Sequence, residues 1–201
     1  MNTARASETH DVRESLLANG QRIMAGKGFS AVGINEVLTA AGVPKGSFYH
    51  YFGSKDAFGE ALLESYFEDY LADLDATLSA PGLTMAQRLT NYWKDWQSTQ
   101  LLYDCQGRCL AVKLGAEVAD LSKAMRLALR RGTADIVNRL ACAIEAGAAE
   151  GSLSVEGAPQ EVAQSLYQLW LGASLMVKIV RNPQPFETAM DATRKILHSA
   201  P

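Results

Sequence analysis

Apolar residues recur along this chain at intervals of three and four, separated by polar and charged positions, almost from end to end. That spacing gives a helix one apolar stripe, whereas a half-buried strand alternates at every second residue. Strand-like alternation of β-branched residues is nearly absent, so the pattern predicts an all-α protein of about nine helices. The first helix is expected over about 11–27, with Leu16, Leu17, Ile23 and Met24 inward. It ends at Gly28, a residue that takes the left-handed C-terminal conformation without cost. A short helix follows over 34–41 and closes at Gly42. A third opens near Pro44, where the first turn has no use for an amide hydrogen, and runs to about 52. Ser54 caps a longer helix from Lys55 to about Leu78, which Pro81-Gly82 breaks. Further helices are predicted over 84–101, 107–118, 120–148, 159–180 and 184–198, with Gly151, Gly157, Pro159, Asn182 and Pro183 at the joints.

Composition narrows the class. A hydrophobic fraction of 48% with 20% charged residues is enough to fill a core. No apolar run reaches the roughly 18 residues that span a bilayer, and the N-terminal stretch has no secretory core. A cytoplasmic protein with no membrane partner is therefore expected. Cys105, Cys109 and Cys142 are odd in number, so no disulfide framework is expected. His10, His50 and His198 are not spaced helically from a cysteine or from each other; no metal site, no cofactor and no catalytic group is expected.

The net charge of −3 conceals an asymmetry. Residues 1–55 hold six Lys or Arg against four acids, a net of +2, and the remainder carries −5. A mildly basic head on an acidic body suits a protein that touches nucleic acid with one end.

The head carries the means to do so. A helix-turn-helix needs a short scaffold helix, a tight turn, and a recognition helix whose first residues enter the major groove. Val37, Leu38 and Ala41 supply the buried side of the scaffold helix. Ala40 and Ala41 are small enough for close helix approach, Gly42 makes the turn and Val43 packs under it. Phe48 and Phe52 face inward, leaving Lys45, Gly46, Ser47, Tyr49, His50 and Tyr51 for operator DNA. Lysine neutralises phosphate and releases counterions, hydroxyl groups fix register on phosphate oxygens, and Gly46 lets the backbone lie against the groove. Lys55, just past the Ser54 cap, places a cation and free amides near a phosphate. His50 is open between a DNA contact and a solvent-facing side chain.

The run Gly42-Val43-Pro44-Lys45-Gly46-Ser47-Phe48-Tyr49-His50-Tyr51-Phe52, followed by Ser54-Lys55-Asp56-Ala57, resembles the signature of the TetR-type repressors. The resemblance implies a helix-turn-helix DNA-binding domain over 1–55 and a regulatory, effector-sensing and dimerisation domain over 56–201. One departure is visible: many members place Thr or Ser where Val32-Gly33 stands, and glycine is a weaker N-cap.

In the body, the segment 161–180 is apolar over more than one face, and its Gly172, Ala173 and Ser174 permit close helix approach. Together with the 120–148 helix and with Phe186, Met190, Ile196 and Leu197 of the last helix it can pack against a second copy about a two-fold axis, giving a homodimer matched to palindromic DNA. Tyr66, Tyr70, Trp93, Trp96, Tyr167 and Trp170 are candidates for an apolar effector chamber, although each also serves as ordinary core.

Cys109 is the candidate sensor. A thiol becomes reactive where a helix N-terminus or a cation stabilises its thiolate. Cys109 is expected in the first turn of the helix after Gly107, with Arg108 adjacent and Lys113 at i+4; Lys178, mid-helix in an apolar run, is a second candidate cation. Cys142, between Leu140-Ala141 and Ala143, reads as a small core residue. The run from Gly107 to Ser122, with Leu169-Trp170-Leu171-Gly172-Ala173-Ser174-Leu175, is similar to the subgroup of the family that governs N-ethylmaleimide reductase operons. That similarity implies sensing of electrophiles or oxidants through Cys109. Reversible binding of an apolar or aromatic molecule stays open beside it. A cysteine-dependent enzyme would need a base near the thiol, and no histidine is close in sequence; a helical adaptor would bind DNA without sequence preference.

Overall fold

The computed structural model describes the backbone of residues 2–105 and 109–198 and the side chains of residues 11–101 and 109–198. Among the described residues there are nine α-helices and no strand: α1 (Asn2–Lys27), α2 (Ile34–Ala41), α3 (Lys45–Tyr51), α4 (Lys55–Leu78), α5 (Met85–Cys105), α6 (Leu110–Leu121), α7 (Lys123–Ala149), α8 (Pro159–Val180) and α9 (Gln184–Ile196). The helical periodicity thus located the elements, with shifts at several ends. α1 begins nine residues before the expected Asp11, α5 runs four residues past 101, and α6 and the start of α7 lie three residues later than expected. No helix among the described residues is long and apolar enough to cross a membrane.

Packing divides the chain into two compact units, Met1–Glu68 with Arg108–Arg131, and Asp69–Gly107 with Gly132–Pro201. α6 and the start of α7 fall in the first unit, with the reader helices.

In the first unit the apolar stripes of α1 (Leu16, Leu17, Met24), α2 (Val37, Leu38) and α4 (Phe58, Leu62, Leu63) close on Phe48 of α3, which is wholly buried. The Phe48 ring lies 5.3 Å from Phe58 and 5.4 Å from Phe52, at the tilted angles aromatic pairs prefer. Leu110, Leu114 and Val118 give α6 a buried stripe of its own. Ser54 caps α4 as expected, accepting the Ala57 amide at 3.0 Å. At Gly20, α1 lies close against α4: a Cβ there would meet Leu62 Cδ1 at 2.9 Å and the Phe58 ring closer still.

The second unit is built on aromatic rings. Trp93 stacks on Trp170 at 4.8 Å, Trp170 on Phe186 at 5.6 Å, and Trp96 meets Tyr167 edge-on at 5.6 Å. The indole N–H of Trp170 donates to Thr193 and that of Trp96 to Ser174, each at 2.9 Å. Phe186, Met190 and Leu197 are buried inside this unit, which corrects their assignment to a dimer face; only Ile196 of that group is exposed. Cys142 also departs from expectation and is exposed. Ile136, Leu140, Ala143 and Ile144 hold the inward stripe of α7, and Cys142 lies about 200° around the helix from Leu140.

Candidate nucleic-acid interface and thiol site

The turn between α2 and α3 is set by Gly42, which ends α2 in the left-handed region at φ 69°. The Val43 amide then donates to Leu38 O at 3.1 Å. Pro44 takes the extended N-cap position of α3, and the Ser47 amide returns to Pro44 O at 3.0 Å. With Phe48 pinned in the core, the rest of the helix is fixed in rotation. Lys45, Gly46, Tyr49 and His50 are exposed, and Ser47 and Tyr51 are half-buried. Tyr49 keeps 54% of its surface free while the Phe48 ring meets it edge-on. A Cβ built on Gly46 would meet nothing within 4 Å beyond its own helix backbone and chain neighbours, so packing within the protein does not require glycine there.

Lys55 has internal partners. Its ammonium donates to Phe29 O at 2.8 Å and sits 4.5 Å from the centre of the Phe29 ring. It holds the α1–α2 loop against the start of α4. The loop has a second anchor: the Glu117 carboxylate of α6 accepts the Phe29 amide at 3.0 Å through Oε2 and the Ser30 amide at 2.7 Å through Oε1. Burial pushes the Glu117 carboxyl up, but the Ser30 hydroxyl, the Ser30 and Phe29 amides and the charge of Lys113 together hold it below the ordinary value. Sequence reasoning did not find Glu117, because 88 residues separate it from Phe29.

Cys109 is the N-cap of α6 rather than part of its first turn. Its carbonyl accepts the Lys113 amide at 2.9 Å, and only 8% of its surface is exposed. Tyr66 of α4, expected to line an effector chamber, donates its hydroxyl to the Cys109 sulfur at 3.6 Å. Cys109, Lys113 and Glu117 follow at i, i+4 and i+8, neighbours up one side of α6. Lys178 is half-buried on α8 in the second unit; Arg108 lies outside the described residues, as does the side chain of Cys105.

The other chamber candidates all fall in the second unit. Trp93, Trp96, Tyr167 and Trp170 are buried and in mutual ring contact, and Tyr70 shares a 2.8 Å hydroxyl contact with Tyr92. The Trp93 indole N–H and the Gln100 side-chain oxygen are buried there with no hydrogen-bond partner. Among the described residues no group of three or more His, Cys, Asp or Glu is placed to hold a metal ion.

Residues 16–62 match the family model described as bacterial regulatory proteins, tetR family, and residues 86–193 match that of the tetracyclin repressor-like C-terminal domain. The chain is 40% identical over 188 residues to the HTH-type transcriptional repressor NemR of Escherichia coli K12, covering 94% of each protein. It is 34% identical over 176 residues to the HTH-type transcriptional repressor DhaR of Mycobacterium sp. strain GP1, covering 88% of this chain and 87% of that one. The crystal structure of the reduced form of E. coli NemR superposes with a TM-score of 0.90 at 40% identity, over 95% of this chain and 99% of that one. The recognition helix built on Phe48, the two matched domains and identity sustained through both lead to one conclusion: the chain belongs to the TetR family, and is a DNA-binding transcriptional repressor rather than an enzyme.

Proposed function

We propose that this repressor acts in the cytoplasm as a homodimer that holds palindromic operator DNA until an electrophile or oxidant modifies Cys109. The observation that carries the reading is the seat of the Cys109 sulfur, at the N-terminal end of α6 and accepting the Tyr66 hydroxyl. Partial positive charge at a helix start and a hydroxyl donor both favour the thiolate over the thiol. The E. coli NemR structure is that of a reduced form, and a thiol that changes oxidation state fits this seat.

With an activated alkene the thiolate sulfur bonds to the β-carbon, the π electrons move to the carbonyl oxygen, and the enolate takes a proton from water. The product is a thioether, and nothing leaves. With hypochlorous acid the sulfur takes chlorine and releases hydroxide; water then displaces chloride and loses a proton, leaving a sulfenic acid. Either product adds atoms at a position with almost no free surface.

An exposed apolar stripe on α8, Leu175, Met176, Ile179 and Val180, supports a two-fold partner. In such a dimer both recognition helices dock only at a separation of about 34 Å, one turn of DNA. A modification that favours a different separation by several kcal/mol empties the operator.

A second reading, reversible induction by an apolar or aromatic molecule, is favoured by the buried, unpartnered N–H of Trp93, whose ring meets those of Trp96 and Trp170; a ligand acceptor would satisfy it. A gel-shift assay on the DNA upstream of the protein's own gene decides between them. N-ethylmaleimide or hypochlorite is expected to release DNA from the wild type and not from Cys109→Ser. Equal release from Cys109→Ser overturns sensing at this cysteine.

A further inference from the structure

We propose that Glu117 is the latch through which the state of Cys109 reaches the DNA reader. The inference rests on the sensing role of Cys109 and concerns how that role acts. The Glu117 carboxylate spans the α1–α2 loop with two hydrogen bonds, to the Phe29 amide at 3.0 Å and the Ser30 amide at 2.7 Å. These amides stand directly before the scaffold helix α2, and α6 is the element that offers them a charged acceptor. Hydrogen bonds from amides to an ionised carboxylate are among the stronger ones. A loop amide that loses its acceptor must find water or remain unpaired.

Space around the latch is tight. A Cβ at Gly28 would lie 3.0 Å from Glu117 Oε2, and Gly28 already stands at φ 92°. The chain there has no side chain to give way, so a displaced carboxylate moves the loop or leaves it.

Cys109 sits two turns down the same helix. α6 is a rigid, hydrogen-bonded rod that rises about 1.5 Å per residue, so the N-cap and Glu117 move together. Cys109 is 8% exposed, with its carbonyl bound to the Lys113 amide and its sulfur under the Tyr66 hydroxyl. A thioether formed there by addition to an alkene, with no leaving group, adds a bulky group to a sulfur that is almost enclosed and already in contact with Tyr66, and so shifts the first turn of α6. Lys113, one turn on, carries the charge that acts on Glu117, so a shift of the first turn reaches the carboxylate through the same face of the helix.

The test is hydrogen–deuterium exchange at residues 28–31 in the full-length protein, read beside DNA binding to the upstream duplex. In untreated wild type the Phe29 and Ser30 amides are expected to be protected. Treatment with N-ethylmaleimide, with Cys109 occupancy followed by mass spectrometry, should speed their exchange about tenfold or more and release the DNA in the same step. Cys109→Ser should show neither change. Glu117→Gln, which keeps the shape but loses the charge and one acceptor oxygen, should exchange fast without treatment, bind the duplex about tenfold more weakly, and respond to N-ethylmaleimide by less than about twofold. If wild type releases DNA while the exchange of residues 28–31 stays unchanged, or if Glu117→Gln keeps the full response, the latch is wrong and cysteine sensing stands. If wild type fully alkylated at Cys109 keeps its DNA, the sensing is wrong and the coupling falls with it.

Discussion

The phenolic hydroxyl of Tyr66 donates a hydrogen bond to the sulfur of Cys109 across 3.6 Å, joining α4 to the N-cap of α6. Those two helices meet the reader by different routes. α4 follows α3 after three residues, and α6 holds the α1–α2 loop through Glu117.

A donor to sulfur stabilises the thiolate more than the thiol. Tyr66→Phe removes the donor and almost no volume. Hydrogen bonds to charged groups are worth about 1.5 kcal/mol at the low end, roughly tenfold in rate. N-ethylmaleimide addition at Cys109, followed by mass spectrometry at neutral pH, should therefore slow by up to about tenfold. An unchanged rate would mean that the hydroxyl does not tune the thiol.

Lys45 opens α3 and is exposed to solvent. Lys45→Ala should leave the fold intact, because the side chain supports none of the core around Phe48. It should weaken binding to operator and to random duplex by similar factors. The slope of log affinity against log salt should fall by about 1, the signature of one lost phosphate contact. Fluorescence anisotropy across a salt series measures both.

Much of the reader was legible in the sequence because its determinants are local. Phe48 and Phe52 inward, Gly42 at the turn and Ser54 as a cap all follow from residue type and spacing within a dozen positions. Glu117 was not legible, since its partners lie 87 and 88 residues away and a carboxylate on an amphipathic helix reads as solvent-facing. Tyr66 showed only as one aromatic among several; its meeting with Cys109 spans 43 residues. Cys142 misled because apolar neighbours in sequence are not neighbours on a helix, where successive side chains diverge by about 100°.

Gly20 lies inside α1, where alanine is ordinarily preferred by about 1 kcal/mol. Here that preference is outweighed. The new methyl would meet Leu62 Cδ1 at 2.9 Å and the Phe58 ring at the same time. The Phe58 ring is itself held by Phe48 at 5.3 Å and Phe52 at 5.0 Å. Overpacking of this kind costs about 1–3 kcal/mol, so Gly20→Ala should lower the midpoint of urea unfolding. A rise in that midpoint would show that the α1–α4 contact has slack.

The Glu117 carboxyl lies below its ordinary value of 4.5 in the folded chain. A depressed carboxyl contributes stability that is fully present above its unfolded value and is lost as pH falls through the folded one. The stability gap between wild type and Glu117→Gln should therefore be constant from about pH 6 to 8 and should close below about pH 4.5. Chemical unfolding of both proteins across that range reads it directly. A gap independent of pH down to 3.5 would show that the charge of Glu117 is not what holds the loop.

Leu175 and Ile179 are one turn apart on α8, 52% and 63% exposed, with Met176 and Val180 beside them. Side chains this apolar and this open on one face form a contiguous patch that water disfavours. The inward face of the same helix is already committed, with Trp170, Ala173, Ser174 and Val177 buried, so the outward stripe adds nothing to the core of its own unit. A two-fold copy would bury it symmetrically, each stripe serving as the surface for the other. Leu175→Glu with Ile179→Glu places four carboxylates in that shared interface, where like charges and lost apolar contact both oppose association. Sedimentation velocity should then show the mass of one chain, with helical content retained. Operator affinity should fall by far more than tenfold, because one recognition helix alone contacts half a palindrome. A dimer that survives both substitutions would place the two-fold axis elsewhere on the molecule.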